Sequence, residues 1–174
     1  MEVFFDTEFT TLDSINGCQA LISIGCVAKN GREFYAELTD TWQEGMCSDF
    51  VIETVLPLLD CGDFKMMEAQ LALRLHDWIE ALTDKEVTLK SDAPGFDWPF
   101  VAELFQRYEI WPKNLRRRCG SVYFYNHRQA FKQAQALVDY WNLHGARQHH
   151  ALVDARSLQY ANKYATKNSQ GLNR

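Results

Sequence analysis

Phe4-Phe5-Asp6-Thr7-Glu8-Phe9 reads as the heart of a β-strand from Val3 to Phe9, apolar and aromatic except for two acids. Side chains alternate along a strand, so Asp6 and Glu8 point to the same face. Two like charges so placed repel, and in an otherwise apolar strand they also meet a desolvation cost. A divalent cation relieves both problems, and oxygen ligands suit Mg²⁺ or Mn²⁺. The competing reading is a wet face, as on one side of an antiparallel sheet.

Working outward, Ala20 to Ala28 is strand-like and rich in β-branched residues, Asn30-Gly31 is a hairpin turn signal, and Glu33 to Leu38 alternates as a third strand. Three early strands on short turns predict an antiparallel meander. Ser48-Asp49 suits an N-cap, with an apolar helical pattern through Phe50, Val51, Val55 and Leu58. Met66 to Leu82 predicts an amphipathic helix with Leu71, Leu75, Trp78 and Leu82 on one face. Val87 to Leu89 predicts a short strand, Asp97 to Tyr108 a helix with Pro99 near its first turn, and Gly120 to Asn126 a further strand. Helices are predicted over Gln129 to His144 and from Asp154 to Tyr164. Strands interleaved with helices give an α/β sheet with helices packed on it, in a chain of 174 residues that makes about one domain.

Two further segments carry chemistry. In His149-His150-Ala151-Leu152-Val153-Asp154, Asp154 stands where a helix is expected to start, and an N-cap is the plain use of such an acid. His149, five positions earlier, titrates near neutral pH and is suited to take a proton from a water. In Ser91-Asp92-Ala93-Pro94-Gly95-Phe96-Asp97, Asp97 follows a strand and a tight turn and opens a helix, where it too reads as an N-cap.

Together and in order, these segments resemble the three motifs of the DEDDh 3′–5′ exonuclease superfamily, which includes proofreading exonucleases, RNase T, oligoribonuclease and small bacterial exoribonucleases. Asp6 and Glu8 match its Asp-x-Glu, Phe96-Asp97 its aromatic-Asp pair, and His149 through Asp154 its His-x-x-x-x-Asp. The likeness runs from residue 3 to residue 158. It departs where many members carry an Asn before the second Asp, since Asp92-Ala93-Pro94-Gly95 stands there and makes Asp92 a rival of Asp97. Phe9-Thr10-Thr11 replaces the Thr-Gly that often follows the first Glu, which is closer to the small exoribonuclease branch. His150 competes with His149 for the role of base.

The resemblance implies an RNase H-like α/β fold: a mixed sheet whose first three strands are antiparallel, flanked by helices. It implies that Asp6, Glu8, Asp97 and Asp154 hold two Mg²⁺ or Mn²⁺ ions, with His149 accepting a proton from the attacking water. The partner would be the 3′ end of RNA or single-stranded DNA, with RNA favoured by the branch. A homodimer is also expected, since related families are often dimeric. Phe9, Phe96 and Trp98 adjoin the motifs and would stack on terminal bases, while Arg116, Arg117 and Arg118, with Lys113, Arg128 and Lys132, would follow the phosphate backbone. The plain alternatives are core aromatics and a solvated loop. A catalytically silent binding module is a rival reading. So is a non-haem iron oxygenase, but that site needs two histidines and one carboxylate, and these motifs supply four acids and one histidine.

The net charge of −5 taken alone argues weakly against a nucleic-acid binder, whose footprint is usually basic. Its distribution changes that view: residues 1–106 hold 20 acids against 6 bases, and residues 107–174 hold 3 acids against 12 bases. An acidic front and a basic back suit cations held beside a polyanion; a solvated basic helix face is the alternative. No apolar run reaches the ~18 residues of a membrane span, and the opening Met-Glu-Val-Phe-Phe-Asp lacks the pattern of a secretory signal. Cys18, Cys26, Cys47, Cys61 and Cys119 are scattered and form no Cys-x-x-Cys pair, so free thiols in a reducing cytoplasm are expected in place of a zinc site or disulfide framework. His76 and His144 read as structural.

Overall fold

In the computed structural model, which describes residues 1–13 and 19–167, six strands form one mixed sheet. They are β1 (Glu2–Phe9), β2 (Leu21–Ala28), β3 (Glu33–Leu38), β4 (Lys65–Met66), β5 (Thr88–Ser91) and β6 (Gly120–Ser121), in spatial order β4-β3-β2-β1-β5-β6. β1 pairs antiparallel with β2 and β2 with β3, as the meander predicts, whereas β5 runs parallel to β1 and β6 parallel to β5. The first hairpin closes at Asn30-Gly31. Gly31 takes φ 88°, the left-handed region open to glycine, and its N–H donates to Ala28 O at 2.8 Å.

Both faces of the sheet are covered. The helices are α1 (Glu68–Glu80), α2 (Pro94–Arg107), α3 (His127–His144) and α4 (Ala151–Lys167). On one face Val3, Phe5, Ile24, Cys26 and Leu89 pack with Leu71, Leu75 and Ile79 of α1 and Val101, Leu104 and Phe105 of α2. On the other, Val27 and Tyr35 meet Ala151, Leu152 and Ala155 of α4, and Phe4 meets Leu158 and Val122. All eight residues of β2 are buried. The face of β1 that carries Asp6 and Glu8 is not an open wet face: Phe4 on it packs against Leu158 of α4, and the two acids are half-buried at its end.

Several boundaries differ from the sequence reading. After Ser48 the chain makes one wide π-turn, Val51–Val55, and a short 3₁₀ turn, Leu56–Leu58, in place of a regular helix. Pro57 has no N–H to extend a helix, yet Val51 and Val55 are buried as the apolar pattern requires. Met66 belongs to β4, and α1 starts at Glu68, whose N–H donates to Asp40 Oδ1 at 2.9 Å. The strand expected over Gly120 to Asn126 is only Gly120–Ser121. Helices α2 and α4 each begin three residues before the acid expected to cap them, so Asp97 and Asp154 are both the fourth residue of their helix. Pro94 occupies the first position of α2, where a missing N–H does no harm, and Pro99 lies inside the helix. Cys26, Cys47, Cys61 and Cys119 are free thiols, and Cys18 lies outside the described residues. Among the described residues no helix is long and apolar enough to cross a membrane.

Gly25 sets the position of α4. It pairs with Asp6 across the β1–β2 ladder, and a Cβ built on it would overlap backbone atoms of Ala151 and Leu152. Overpacking where backbone meets backbone has no side chain to yield, so Gly25→Ala is expected to lower stability by on the order of 3 kcal/mol, measured by denaturant unfolding. A loss below about 0.5 kcal/mol would show that α4 is not seated on this residue.

Candidate active site

Four chain segments meet at one end of the sheet and line a cleft of about 640 Å³. From β1 come Asp6 and Glu8, on the α4 face as alternation requires. From the first turn of α4 comes Asp154, brought over β1 by the close approach at Gly25. From the first turn of α2 comes Asp97, and from the segment before α4 comes His149. All five residues named from the motifs line this cleft. Ligating atoms of Glu8, His149 and Asp154 lie within 4.8 Å of one another, and so do those of Asp6, Asp92 and Asp97. Asp92 thus stands beside Asp97 in the same cluster, with Asp97 buried and Asp92 exposed.

The histidines separate cleanly. His149 faces the cleft, with the edge of its ring contact to Phe50 at 5.1 Å between centroids. His150 is buried outside it, stacked on Tyr35 with ring centroids 4.5 Å apart and its Nε2 3.2 Å from Asp60 Oδ2. His149 takes φ 71°, a left-handed conformation that is uncommon for any residue with a side chain.

Asp97 is held by two hydroxyls. Thr7 Oγ1 donates to its Oδ1 at 2.6 Å, and Ser91 Oγ donates to its Oδ2. Asp154 is held from one side only: its Oδ2 accepts the His149 N–H at 3.0 Å, while its Oδ1 is buried with no hydrogen-bond partner. The acids crowd one another in a desolvated place, and their titration shifts accordingly. Burial, then the charges of Asp154 and Asp97, pushes Glu8 up to about 8. Burial raises Asp154 to about 7 against the opposing His149 N–H, and raises Asp97 to about 6 against the hydroxyls of Ser91 and Thr7. Asp6 is driven well above the carboxylate range, by burial first and then by Asp97, Glu8, Asp154 and Asp92. No Lys or Arg is among the described residues lining the cleft.

These residues fit a divalent cation. Two groups of possible ligands, Glu8 with Asp154 and His149, and Asp6 with Asp92 and Asp97, line one cleft with no Lys or Arg among its described lining residues, and a buried carboxylate oxygen of Asp154 is unpartnered. Among the described residues the cleft is lined by one histidine, which does not match the two histidines and one carboxylate of a non-haem iron site.

The expected nucleic-acid contacts divide. Phe9 and Phe96 both line the cleft, with rings stacked at 6.3 Å and 11°. Trp98 does not; it packs on the main core against Trp111. Two helical positions turn about 200°, so Phe96 and Trp98 cannot share a face. None of Arg116, Arg117 and Arg118 is among the lining residues. Arg116 pairs with Glu86 at 2.5 Å, Arg117 lies 4.5 Å over the Trp111 ring, and Arg118 is exposed. Sequence reasoning missed Thr7 and Ser91, although Thr7 stands between the two motif acids. It also missed Phe50 and the α3 residues Leu137 and Trp141, which form part of the cleft wall.

No protein-family model and no curated protein sequence matches the chain. Solved structures do. The nuclease domain of 3′hExo, a DEDDh family member bound to rAMP, superposes with TM-score 0.57 at 12% identity, over 92% of this chain and 88% of that one. The zinc-bound E. coli exonuclease I complex with single-stranded DNA gives TM-score 0.58 at 12% identity, over 97% of this chain and 41% of the other. A further exonuclease I structure gives 0.56 at 13%, over 91% and 39%. The chain thus spans about two fifths of the exonuclease I chains and most of the 3′hExo domain. The sheet order, the flanking helices and these superpositions agree: this chain has the RNase H-like fold of the DEDDh exonucleases.

Proposed function

We propose that this protein is a metal-dependent 3′–5′ exonuclease that removes nucleoside 5′-monophosphates from the 3′ end of nucleic acid, with RNA as its substrate. The observation that carries this reading is the meeting of four carboxylates from three separated segments with one histidine, around an unpartnered buried oxygen of Asp154. The resemblance of the motifs and the shared fold supports the same chemistry.

On this reading Asp6, Glu8, Asp97 and Asp154 hold two Mg²⁺ or Mn²⁺ ions. When bound, such a pair lowers the pKa of a water and stabilises the attacking and leaving oxygens of an in-line displacement. His149 would accept a proton from the attacking water as the water oxygen bonds to the terminal phosphorus; the bond from phosphorus to the 3′ oxygen breaks, that oxygen takes a proton from solvent, and the products are a nucleoside 5′-monophosphate and a shortened strand with a free 3′ hydroxyl. Thr7 and Ser91 keep the Asp97 carboxylate oriented. Phe9 and Phe96 offer an aromatic surface at the cleft for the terminal base, a contact that tolerates any sequence. The preference for RNA rests on the likeness of Phe9-Thr10-Thr11 to the small exoribonuclease branch.

With end-labelled single-stranded RNA and DNA in Mn²⁺, a ladder shortening from the 3′ end is expected, faster on RNA, and abolished by chelator. Asp6→Ala and Asp154→Ala are expected to remove trimming while the fold is kept. His149→Ala should lower turnover by about 10²- to 10⁴-fold with Mn²⁺ binding largely retained by calorimetry. Wild-type rates in any of these variants would refute that residue's role.

A pH dependence follows from the crowded acids. Free carboxyls titrate near 4 in an unfolded chain, whereas Asp97, Asp154 and Glu8 titrate at about 6, 7 and 8 in the folded one. Between those limits the folded state binds more protons, so its stability falls as pH rises through the interval. In chelator, the Tm is expected to fall between about pH 5 and pH 8, and saturating Mn²⁺ should oppose the fall by replacing protons with a cation. A Tm that rises with pH in chelator would contradict the account of these acids.

A further inference from the structure

Asp60 stands outside the cleft, yet it grips residues on both sides of His149. Its Oδ1 accepts from Arg147 Nη2 at 2.5 Å, and its Oδ2 lies 3.2 Å from Nε2 of the buried His150. Arg147 Nη2 also donates to Leu58 O at 2.9 Å. The turn that carries Asp60 is itself fixed to the sheet. Glu37 of β3, 1% exposed, accepts the Asp60 N–H at 2.6 Å and the Cys61 N–H at 3.0 Å, and also the hydroxyl of Tyr35 at 2.9 Å. Tyr35 then carries the His150 ring on its face. A continuous set of contacts runs from β3 through Glu37 and Asp60 to Arg147 and His150.

Between those two residues, His149 keeps the left-handed φ of 71°. Such a conformation in a residue with a side chain persists only where the surroundings over-determine it. The Asp60 carboxylate supplies that constraint on one side, and the Asp154 carboxylate, accepting the His149 N–H, supplies it on the other. Helix α4 has anchors besides Asp60. That helix is fastened by the contact at Gly25, by the paired hydrogen bonds of Arg156 to Glu33 at 2.7 and 2.6 Å, and by Gln159 Nε2 to Ala28 O at 3.1 Å. The constraint from Asp60 therefore falls on the approach segment and on His150, whose carbonyl accepts the first N–H groups of α4, from Val153 at 2.8 Å and Asp154 at 3.0 Å.

We infer that Asp60 is a positioning residue for His149: one carboxylate, tied to Arg147 and His150, holds the backbone between them in the turn that presents the imidazole to the cleft. This rests on the nuclease reading for its kinetic consequence, though not for its structural one.

Asp60→Ala is expected to lower kcat by about 10- to 100-fold, the usual penalty of a misplaced catalytic group. KM and Mn²⁺ affinity should stay within about twofold of wild type. Asp60→Asn, which keeps an acceptor for Arg147 and can serve the other tautomer of His150, should recover most of the rate. In the His149→Ala background the Asp60→Ala change should cost nothing further, because two residues acting as one unit are not additive. Arg156→Ala, which removes an ion pair of α4 elsewhere, should leave kcat unchanged. Independently of activity, amide exchange at 147–150 should quicken in Asp60→Ala while β1 stays protected. The inference is overturned by a wild-type kcat in Asp60→Ala, by an additive loss in the double variant, by an equal loss in Arg156→Ala, or by unchanged exchange at 147–150. Absence of trimming by the wild-type protein would instead overturn the nuclease reading, and the exchange experiment would still decide the role of Asp60.

Discussion

Helix α4 reaches the first strand by crossing β2 at a residue that has no side chain. The backbone of Ala151 and Leu152 lies where a Cβ of Gly25 would stand, and Gly25 is the partner of Asp6 in the ladder. This backbone contact lets α4 sit close on the sheet, which brings Asp154 over Asp6 and Glu8. The other participants follow from it. The segment entering α4 must run along the end of the sheet, which is where His149 and the clamp around it are found. α2 meets the same end from the opposite face, because parallel pairing of β5 with β1 delivers the chain there at Ser91.

The assembled acids are in electrostatic conflict by construction. Burial and mutual repulsion raise the titration of Asp6, Glu8, Asp97 and Asp154 together. Only Asp97 has both carboxylate oxygens satisfied, by Thr7 and Ser91. A protein gains nothing in stability from such an arrangement, and local conflict of this kind is characteristic of functional sites. Oxygen donors of this kind suit hard divalent cations, which is the chemistry on which the proposed function rests.

How much of this could be read beforehand depended on how local each determinant is. β1, the Asn30-Gly31 turn and β3 were legible because strand period and turn chemistry act over a few residues. The convergence of Asp6, Glu8, Asp97, His149 and Asp154 was legible through their resemblance to a motif set. Helix starts were misplaced because an acid near a helix beginning looks like a cap, whereas Pro94 and Ala151 open α2 and α4 three residues sooner. The wet-face alternative could not be dismissed until α4 was seen to cover β1. The partner of Arg116, Glu86, is thirty residues away in sequence, and Trp98 is turned to Trp111 by a helical phase that its nearness to Asp97 in sequence does not reveal. Gly25, Thr7 and Ser91 act only through partners supplied by tertiary packing, and no local rule marks them.

The placing of Asp97 and Asp154 one turn inside their helices has a consequence for assembly. The first turn of an α-helix carries a partial positive charge and unpaired N–H groups, worth a few tenths to 1 kcal/mol to a nearby anion. Two such termini, from α2 and α4, border the same crowded cavity. They supply fixed partial positive charge to the carboxylates, present as soon as the helices form. Protons and helix dipoles together thus quiet the carboxylates in the folded chain without any further charged group.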